Sequence, residues 1–481
     1  MECRPIGFLS GFVCLTRTSF SDMCTPYIST ATEGDPLMTH VLLIGNGARE
    51  HAIAEAIRRS AQSPLLYSFM KTNNPGIASL SEKICLGRYD EPEAIVAFAR
   101  DAGVAFAIVG PEDPLSHGVV DALTAAGIPA VGPTRSLARL ETSKSFTRNL
   151  LEKYDIPGNP RFRNFTSLNG IDAFLGELDG IVLKPDGLTG GKGVLVQGDH
   201  FQTHAEALEH CRDILRIHPG VTVEEKLEGE EFSLQCLSDG RTVVPTPPVQ
   251  DHKRRFFGDS GPNTGGMGSY SCADHLLPFL DADAVAEGLA ITWKVAEAIR
   301  LETGIPYKGV LYGGFMLTRA GVKLIEYNAR FGDPEAMNIL PLLRTDFIDV
   351  CRAIIDGTLD RLDIVFEKKA TVCKYIVPKG YGLPEDHPDA SCKSSLITIG
   401  DVHPARLYYS SIDRRSDGLY MTPSRAIGVV GIADALPEAE RIAERAVAGV
   451  HGPVDHRPDI GTEPLIRKRV EHMKKLKAES I

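Results

Sequence analysis

From residue 39 onward the apolar positions of this chain fall into two rhythms. Short β-prone runs at Val41–Ile44, Leu65–Phe69 and Val104–Val109 are separated by stretches with helical spacing, such as Glu93–Ala102. That alternation predicts βαβ units and a parallel sheet. A turn near Gly132–Thr134 closes this unit, and Ser143–Tyr154 is expected to form an amphipathic helix. The rhythm then changes. Ile181–Val196 and Val221–Cys236 read as hairpin-like strand pairs around a polar helix at about Thr203–Ile217. A helix over Ala284–Leu301 precedes strands at Gly309–Leu317 and Val322–Tyr327, joined by a turn at Arg319–Gly321. Beyond Phe366 come short strands (Ala370–Val377, Ile427–Ile432), a helix at Pro437–Val450 and a basic helix at Pro464–Ala478. The predicted class is multidomain α/β and α+β, with a parallel, Rossmann-like α/β domain first and a mixed α/β domain last. Residues 1–37 show no periodic pattern and only a short, interrupted apolar stretch, so they are expected to be a disordered, dispensable extension.

Composition narrows the function classes. A chain of 481 residues suggests about three domains. No apolar run approaches the ~18 residues of a membrane helix. The net charge of −11 argues against a duplex-binding surface, leaving small molecules as the expected partners. Ten cysteines without CxxC pairs signal neither a zinc site nor a disulfide framework, which suits a cytoplasmic protein.

Five stretches carry candidate chemistry. Ile181–Val194, IVLKPDGLTGGKGV, leaves a strand through Lys184 into a glycine-rich loop. Its amides can fold around phosphate oxygens, but the spacing is not that of a Walker A loop. Gly45–Glu50, GNGARE, starts like a dinucleotide fingerprint, yet Glu50 stands where the third glycine is needed. A helix N-terminus gripping a single phosphate is the preferred reading there. Val223–Glu231, VEEKLEGEE, crowds carboxylates that either hold an adenine edge and ribose hydroxyls or form an acidic exposed turn. Gln250–Arg255, QDHKRR, runs through a polar loop into Pro262–Gly268, PNTGGMG, and its cations suit anionic substrates. In Glu326–Glu335, EYNARFGDPE, strand alternation puts Glu326 and Asn328 on one face, both hard oxygen ligands of the kind Mg²⁺ shares with phosphates. Arg330 continues that face, where a guanidinium can clamp phosphoryl charge.

In this order, from GNGAREHA and GPEDPL onward, these stretches resemble the phosphoribosylamine–glycine ligases of the ATP-grasp superfamily. The resemblance implies residues 38–141 as a phosphoribosylamine-binding domain and 142–356 as an ATP-grasp domain with a mobile lid at about 157–227. Residues 357–481 would be the C-terminal domain. It implies ATP, glycine and 5-phosphoribosylamine as substrates, Mg²⁺ or Mn²⁺ as the metal, no nucleic-acid or membrane partner, and a monomer. Lys144 and Lys184 would contact ATP, with lid amides from Gly190, Gly191 and Gly193. Glu224, Glu225 and Leu227 would face adenine, and Glu231 the ribose. Glu326 and Asn328 would bind the metal, while Tyr312–Phe315 on the preceding strand offers no third ligand. Gly45, Asn46 and Gly47 would meet the substrate phosphate, with Gly265, Gly266 and Met267 also at the substrate. Arg330, Asp251 and Lys253 would face glycine and the transferred phosphoryl group. Another ATP-grasp ligase should lack DHKR with NTGGMG, and a non-catalytic nucleotide sensor should have lost Glu326, Asn328 or Arg330.

Overall fold

The computed structural model describes residues 13–16, 38–190 and 193–479. The first sheet is parallel in the order Lys83–Leu86, Leu65–Met70, His40–Ile44, Phe106–Val109, Ala130–Val131. Val41 to Ile44 are fully buried, as a continuous apolar run sandwiched between helical layers requires. The order reverses beside His40–Ile44. Gly45–Gly47 and Gly110–Glu112 therefore lie at the carboxyl ends of adjacent strands, where open α/β sheets bind ligands. Part of the extension departs from expectation: Val13–Thr16 forms an antiparallel strand on Lys83–Leu86. The open edge of that strand offers unpaired backbone groups, and VCLT has the β propensity to use them. The other residues before Met38 lie outside the described residues.

A small lid sheet follows, ordered Phe162–Phe165, Val221–Glu225, Ile181–Pro185, Leu195–Val196, with the helix His204–Ile217 behind it. The core sheet is ordered Val243–Pro245, Gly229–Asp239, Lys308–Thr318, Gly321–Asn328. Its covered face carries Phe232, Leu234 and Phe315 against the helix Ala282–Thr303, which starts at the Asp281 cap and stops at Gly304. The expected strand pair over Val221–Cys236 is not a hairpin. Val221–Glu225 pairs with Ile181–Pro185 in the lid, while Gly229–Asp239 pairs with Lys308–Thr318 in the core. The chain crosses between sheets at 226–228, and Gly229 lets two backbones close up there.

The C-terminal sheet draws strands from both sides of residue 357. Gln250–Asp251 and Gly268–Ser271 join Ala370–Pro378, Ile427–Ala433 and Arg406–Tyr409 in one sheet. The loop between those first two strands folds into a two-stranded hairpin of its own, Arg254–Phe256 against Ser260–Asn263. The C-terminal helix forms over Glu463–Ala478, close to expectation.

A Cβ added at Gly229 would lie 2.0 Å from the Leu317 carbonyl oxygen. Gly229→Val is expected to destabilise by about 1–3 kcal/mol, as overpacking does. Urea unfolding should show a lower midpoint with an unchanged slope, and an unchanged midpoint would mean that the crossing point is loose.

Candidate active site

A cleft of about 800 Å³ lies between the lid, the core sheet, the first domain and the C-terminal sheet. Its floor is the strand Gly321–Asn328, where a register shift makes Ile325 an unmatched extra residue opposite Gly314 and Phe315. Before the shift Val322 and Leu324 point into the core. After it Tyr327 and Ala329 do, and Glu326, Asn328 and Arg330 turn to the cleft. Bulges re-aim side chains in this way.

Glu326 is held ionised: burial pushes its carboxyl up, but Lys253, Lys184 and Lys144 bring it below the ordinary range. Lys253 Nζ lies 3.9 Å from Glu326 Oε1 and 3.8 Å from Glu231 Oε2. Asn328 Oδ1 accepts from Arg330 Nη2 at 3.1 Å. Arg330 is braced by Glu141 at 2.8 Å and Glu112 at 3.3 Å, which outweigh burial and raise its pKa. Asp251 lines the cleft, its carboxyl pushed well up by burial and by Glu335. Its Oδ1 has no hydrogen-bond partner. Gly266, at φ +109°, lets that carboxylate pass, since a Cβ there would sit 2.7 Å from it.

The lid side is built on charge. Lys184 Nζ lies 2.8 Å from Glu224 Oε2, and Arg148 chelates the same carboxylate at 2.7 and 2.9 Å. Burial lowers the Lys184 pKa; burial would raise that of Glu224, but Arg148 and Lys184 hold it low. Lys144 Nζ donates to the Gly187 carbonyl at the base of the glycine loop. Gly190, Glu225, Leu227 and Glu231 line the cleft; Gly193 does not. Gly191 lies outside the described residues. Asp199 of the lid pairs at the cleft with Arg254, on the loop between Asp251 and Gly268.

Two groups of expected substrate residues reach the cleft only in part. Met267 is fully buried, and its amide and carbonyl bond to His252 and Tyr375, so it presents nothing to the cleft. Of that glycine pair only Gly265 lines the cleft, its carbonyl 2.6 Å from Arg425 Nη1. At Gly45–Gly47 part of the backbone is used by the chain itself. Gly47 donates its amide to Glu50 Oε2 at 2.6 Å, and Gly45 bonds to Phe69 and is not at the cleft. Asn46 and Gly47 do line the cleft, the Asn46 side chain tied to Thr72 and Tyr89. Several residues were not singled out from sequence: Arg49, Glu112, Glu141, Arg148 and Arg425. Arg425 joins Gly265, Gly266 and Asp333, and stacks on Tyr375 at 4.5 Å. Apart from the Arg49–Glu50 pair, their partners are distant in the chain.

Among the described residues no cluster of three His, Cys, Asp or Glu could by itself hold a metal ion, and no helix is long and apolar enough to cross a membrane. Glu326 and Asn328 supply two oxygen donors, which fits an ion completed by water and substrate phosphates.

Residues 142–336 match the family described as phosphoribosylglycinamide synthetase, ATP-grasp (A) domain, and residues 39–141 match its N domain. The phosphoribosylamine–glycine ligase of Methanocella arvoryzae is 47% identical over 433 residues, covering 90% of this chain and 98% of that one. That of Methanocaldococcus jannaschii is 48% identical over 449 residues, covering 91% and 99%. The solved phosphoribosylamine–glycine ligase of Thermotoga maritima superimposes with a TM-score of 0.72 at 25% identity, covering 88% of this chain and all of that one. A lid sheet and a core sheet closing on one charged cleft, with these matches, define an ATP-dependent ligase of the ATP-grasp class. The relatives span nearly the whole described chain. This chain belongs to the phosphoribosylamine–glycine ligase family.

Burial pushes the Glu112 carboxyl up, but Arg330 and Arg49 more than reverse this and hold it at about 2. A folded pKa below the ordinary 4.5 stabilises the fold above that value and loses the contribution as pH falls towards 2. The melting-temperature gap between wild type and Glu112→Gln is therefore expected to be widest near neutrality and to narrow in acid below that pKa. A gap that does not change with pH would assign the stabilisation to something other than this charge.

Proposed function

We propose that the cleft ligates glycine to 5-phosphoribosylamine, giving glycinamide ribonucleotide, ADP and phosphate through a glycyl phosphate intermediate. The observation that carries this reading is the face formed by Glu326, Asn328 and Arg330, ringed by Lys144, Lys184 and Lys253, in a chain of this family.

A carboxylate is a poor electrophile and must be activated. A glycine carboxylate oxygen attacks the γ-phosphorus, the bond to the bridging oxygen breaks, and ADP leaves. The amine of phosphoribosylamine then attacks the acyl carbon, the carbon–oxygen bond to phosphate breaks, and the amine proton leaves with the phosphate. Arg330 and Lys253 face the transferred group, and their charges are fixed in advance by flanking carboxylates. Lys144, Lys184 and the lid amides hold the nucleotide, with Glu225, Leu227 and Glu231 toward its base and ribose. Glu326 and Asn328 hold Mg²⁺ or Mn²⁺, which when bound neutralises phosphate charge during transfer. The same reading has a monomer working in the cytoplasm. Sedimentation at assay concentration checks the monomer.

Oxygen-labelled glycine tests the chemistry: label should appear in the released phosphate, and its absence would rule out the acyl phosphate. Glu326→Gln keeps size but removes charge, and a loss of about 10²–10³ in kcat is expected. Excess Mg²⁺ should recover part of that loss. Arg330→Lys should also be costly, because a point charge does not reproduce the guanidinium fork, and metal should not rescue it. Wild-type turnover of Glu326→Gln at limiting Mg²⁺ would remove this residue from the metal site.

A further inference from the structure

Arg148, on the helix Lys144–Lys153, is buried, and the reaction just described gives it no part. Its guanidinium offers five N–H groups, and all have acceptors. Nε and Nη2 donate to the two oxygens of Glu224 at 2.7 and 2.9 Å. Nη2 also donates to the Ile325 carbonyl at 2.7 Å, and Nη1 to the Leu324 carbonyl at 3.0 Å and Asn159 Oδ1 at 3.3 Å. Lys184 Nζ adds a second donor to the same Ile325 carbonyl at 2.8 Å.

Two features distinguish this from an ordinary buried ion pair. The carbonyls held are those of the bulge that turns Glu326, Asn328 and Arg330 into the cleft. The carboxylate held belongs to the lid strand, so one side chain spans the seam between the two sheets. Buried ion pairs contribute little net stability against a well-packed apolar replacement, so stability is a weak account of Arg148. Groups that orient metal ligands from behind have measurable effects on metal affinity.

We propose that Arg148 is a positioning residue for phosphoryl transfer: it locks the bulge at Ile325, aims Glu326, Asn328 and Arg330, and ties that aim to the lid through Glu224. The proposal rests on the assignment of Glu326 and Asn328 to a divalent ion, and its test separates the two.

Arg148→Lys keeps the charge but serves at most three of the acceptors. The variant should fold, and calorimetry in chelator should show ATP binding within about twofold of wild type, the loss falling on metal affinity instead. The Mg²⁺ concentration for half-maximal ADP release should rise about tenfold or more. The fall in kcat should be about 10²-fold, with the KM for phosphoribosylamine unchanged. Should the lysine variant fail to fold, Arg148→Gln alone leaves Glu224 still paired with Lys184; the same shifts in kcat and Mg²⁺ dependence are expected. Wild-type kcat and Mg²⁺ dependence in the folded variant overturn the proposal. So does a loss that merely follows the folded fraction and moves every parameter together. Glu326→Gln is measured in parallel. If it leaves the Mg²⁺ dependence untouched, the metal assignment fails on its own. Arg148 is then judged on kcat at full folding and constant phosphoribosylamine KM: a loss supports the aiming role, and wild-type turnover ends it.

Discussion

One unmatched residue in the strand Gly321–Asn328 reverses the sense in which its side chains alternate. Without it, Glu326 and Asn328 would continue the parity of Val322 and Leu324 and lie beneath the helix Ala282–Thr303. A carboxylate buried there without a partner is strongly unfavourable. The bulge avoids that outcome but takes Ile325 out of the ladder. Its carbonyl then needs a donor, and Lys184 and Arg148 both supply one. The irregularity that turns Glu326, Asn328 and Arg330 to the cleft and the cations that tolerate it are therefore one arrangement, and the cleft inherits its geometry from that point.

Charge in the cleft follows a common pattern. Four of the cleft cations have a carboxylate beside or behind them: Glu224 for Lys184, Glu141 and Glu112 for Arg330, Glu231 for Lys253, Asp333 for Arg425. Such pairing keeps the cations charged despite burial and holds their positions before any substrate arrives, which is what electrostatic preorganisation requires. The braces come from different parts of the chain. Glu112 belongs to the first domain, Glu141 to the segment entering the ATP-grasp domain, and Arg425 to the C-terminal sheet region. The site is complete only where these parts meet.

Much of this was legible in the amino-acid order because it rests on short-range periodicity. The buried strands, the helix expected at Ala284–Leu301 and found over Ala282–Thr303, and the paired facing of Glu326 and Asn328 follow from spacing alone. What was not legible depends on contacts between distant segments. Val221–Cys236 reads as two consecutive strands whether they pair with each other or part into different sheets. Met267 stands among glycines that look like a substrate loop, yet the neighbouring strand Ala370–Pro378 absorbs it into the core. Glu50 looked like a defect in a phosphate fingerprint, and the fold uses it as the cap of that very helix. Arg148 and Arg425 carry no local signature, because their acceptors are set by tertiary structure.

The pairing of Gly268–Ser271 with Ala370–Pro378 has a consequence for how the molecule is made. On a ribosome adding about 5–20 residues per second, roughly a hundred residues between the two strands delay their meeting by several seconds or more. Until then the segment from Gln250 to Ser271, which bears Asp251 and Lys253, lacks the neighbour that gives it shape. A nascent or prematurely ended chain thus has the strands Ile181–Pro185 and Gly321–Asn328 before the loop bearing Asp251 and Lys253 gains its neighbour. Assembly order leaves an incomplete product without a finished cleft until Ala370–Pro378 has been made.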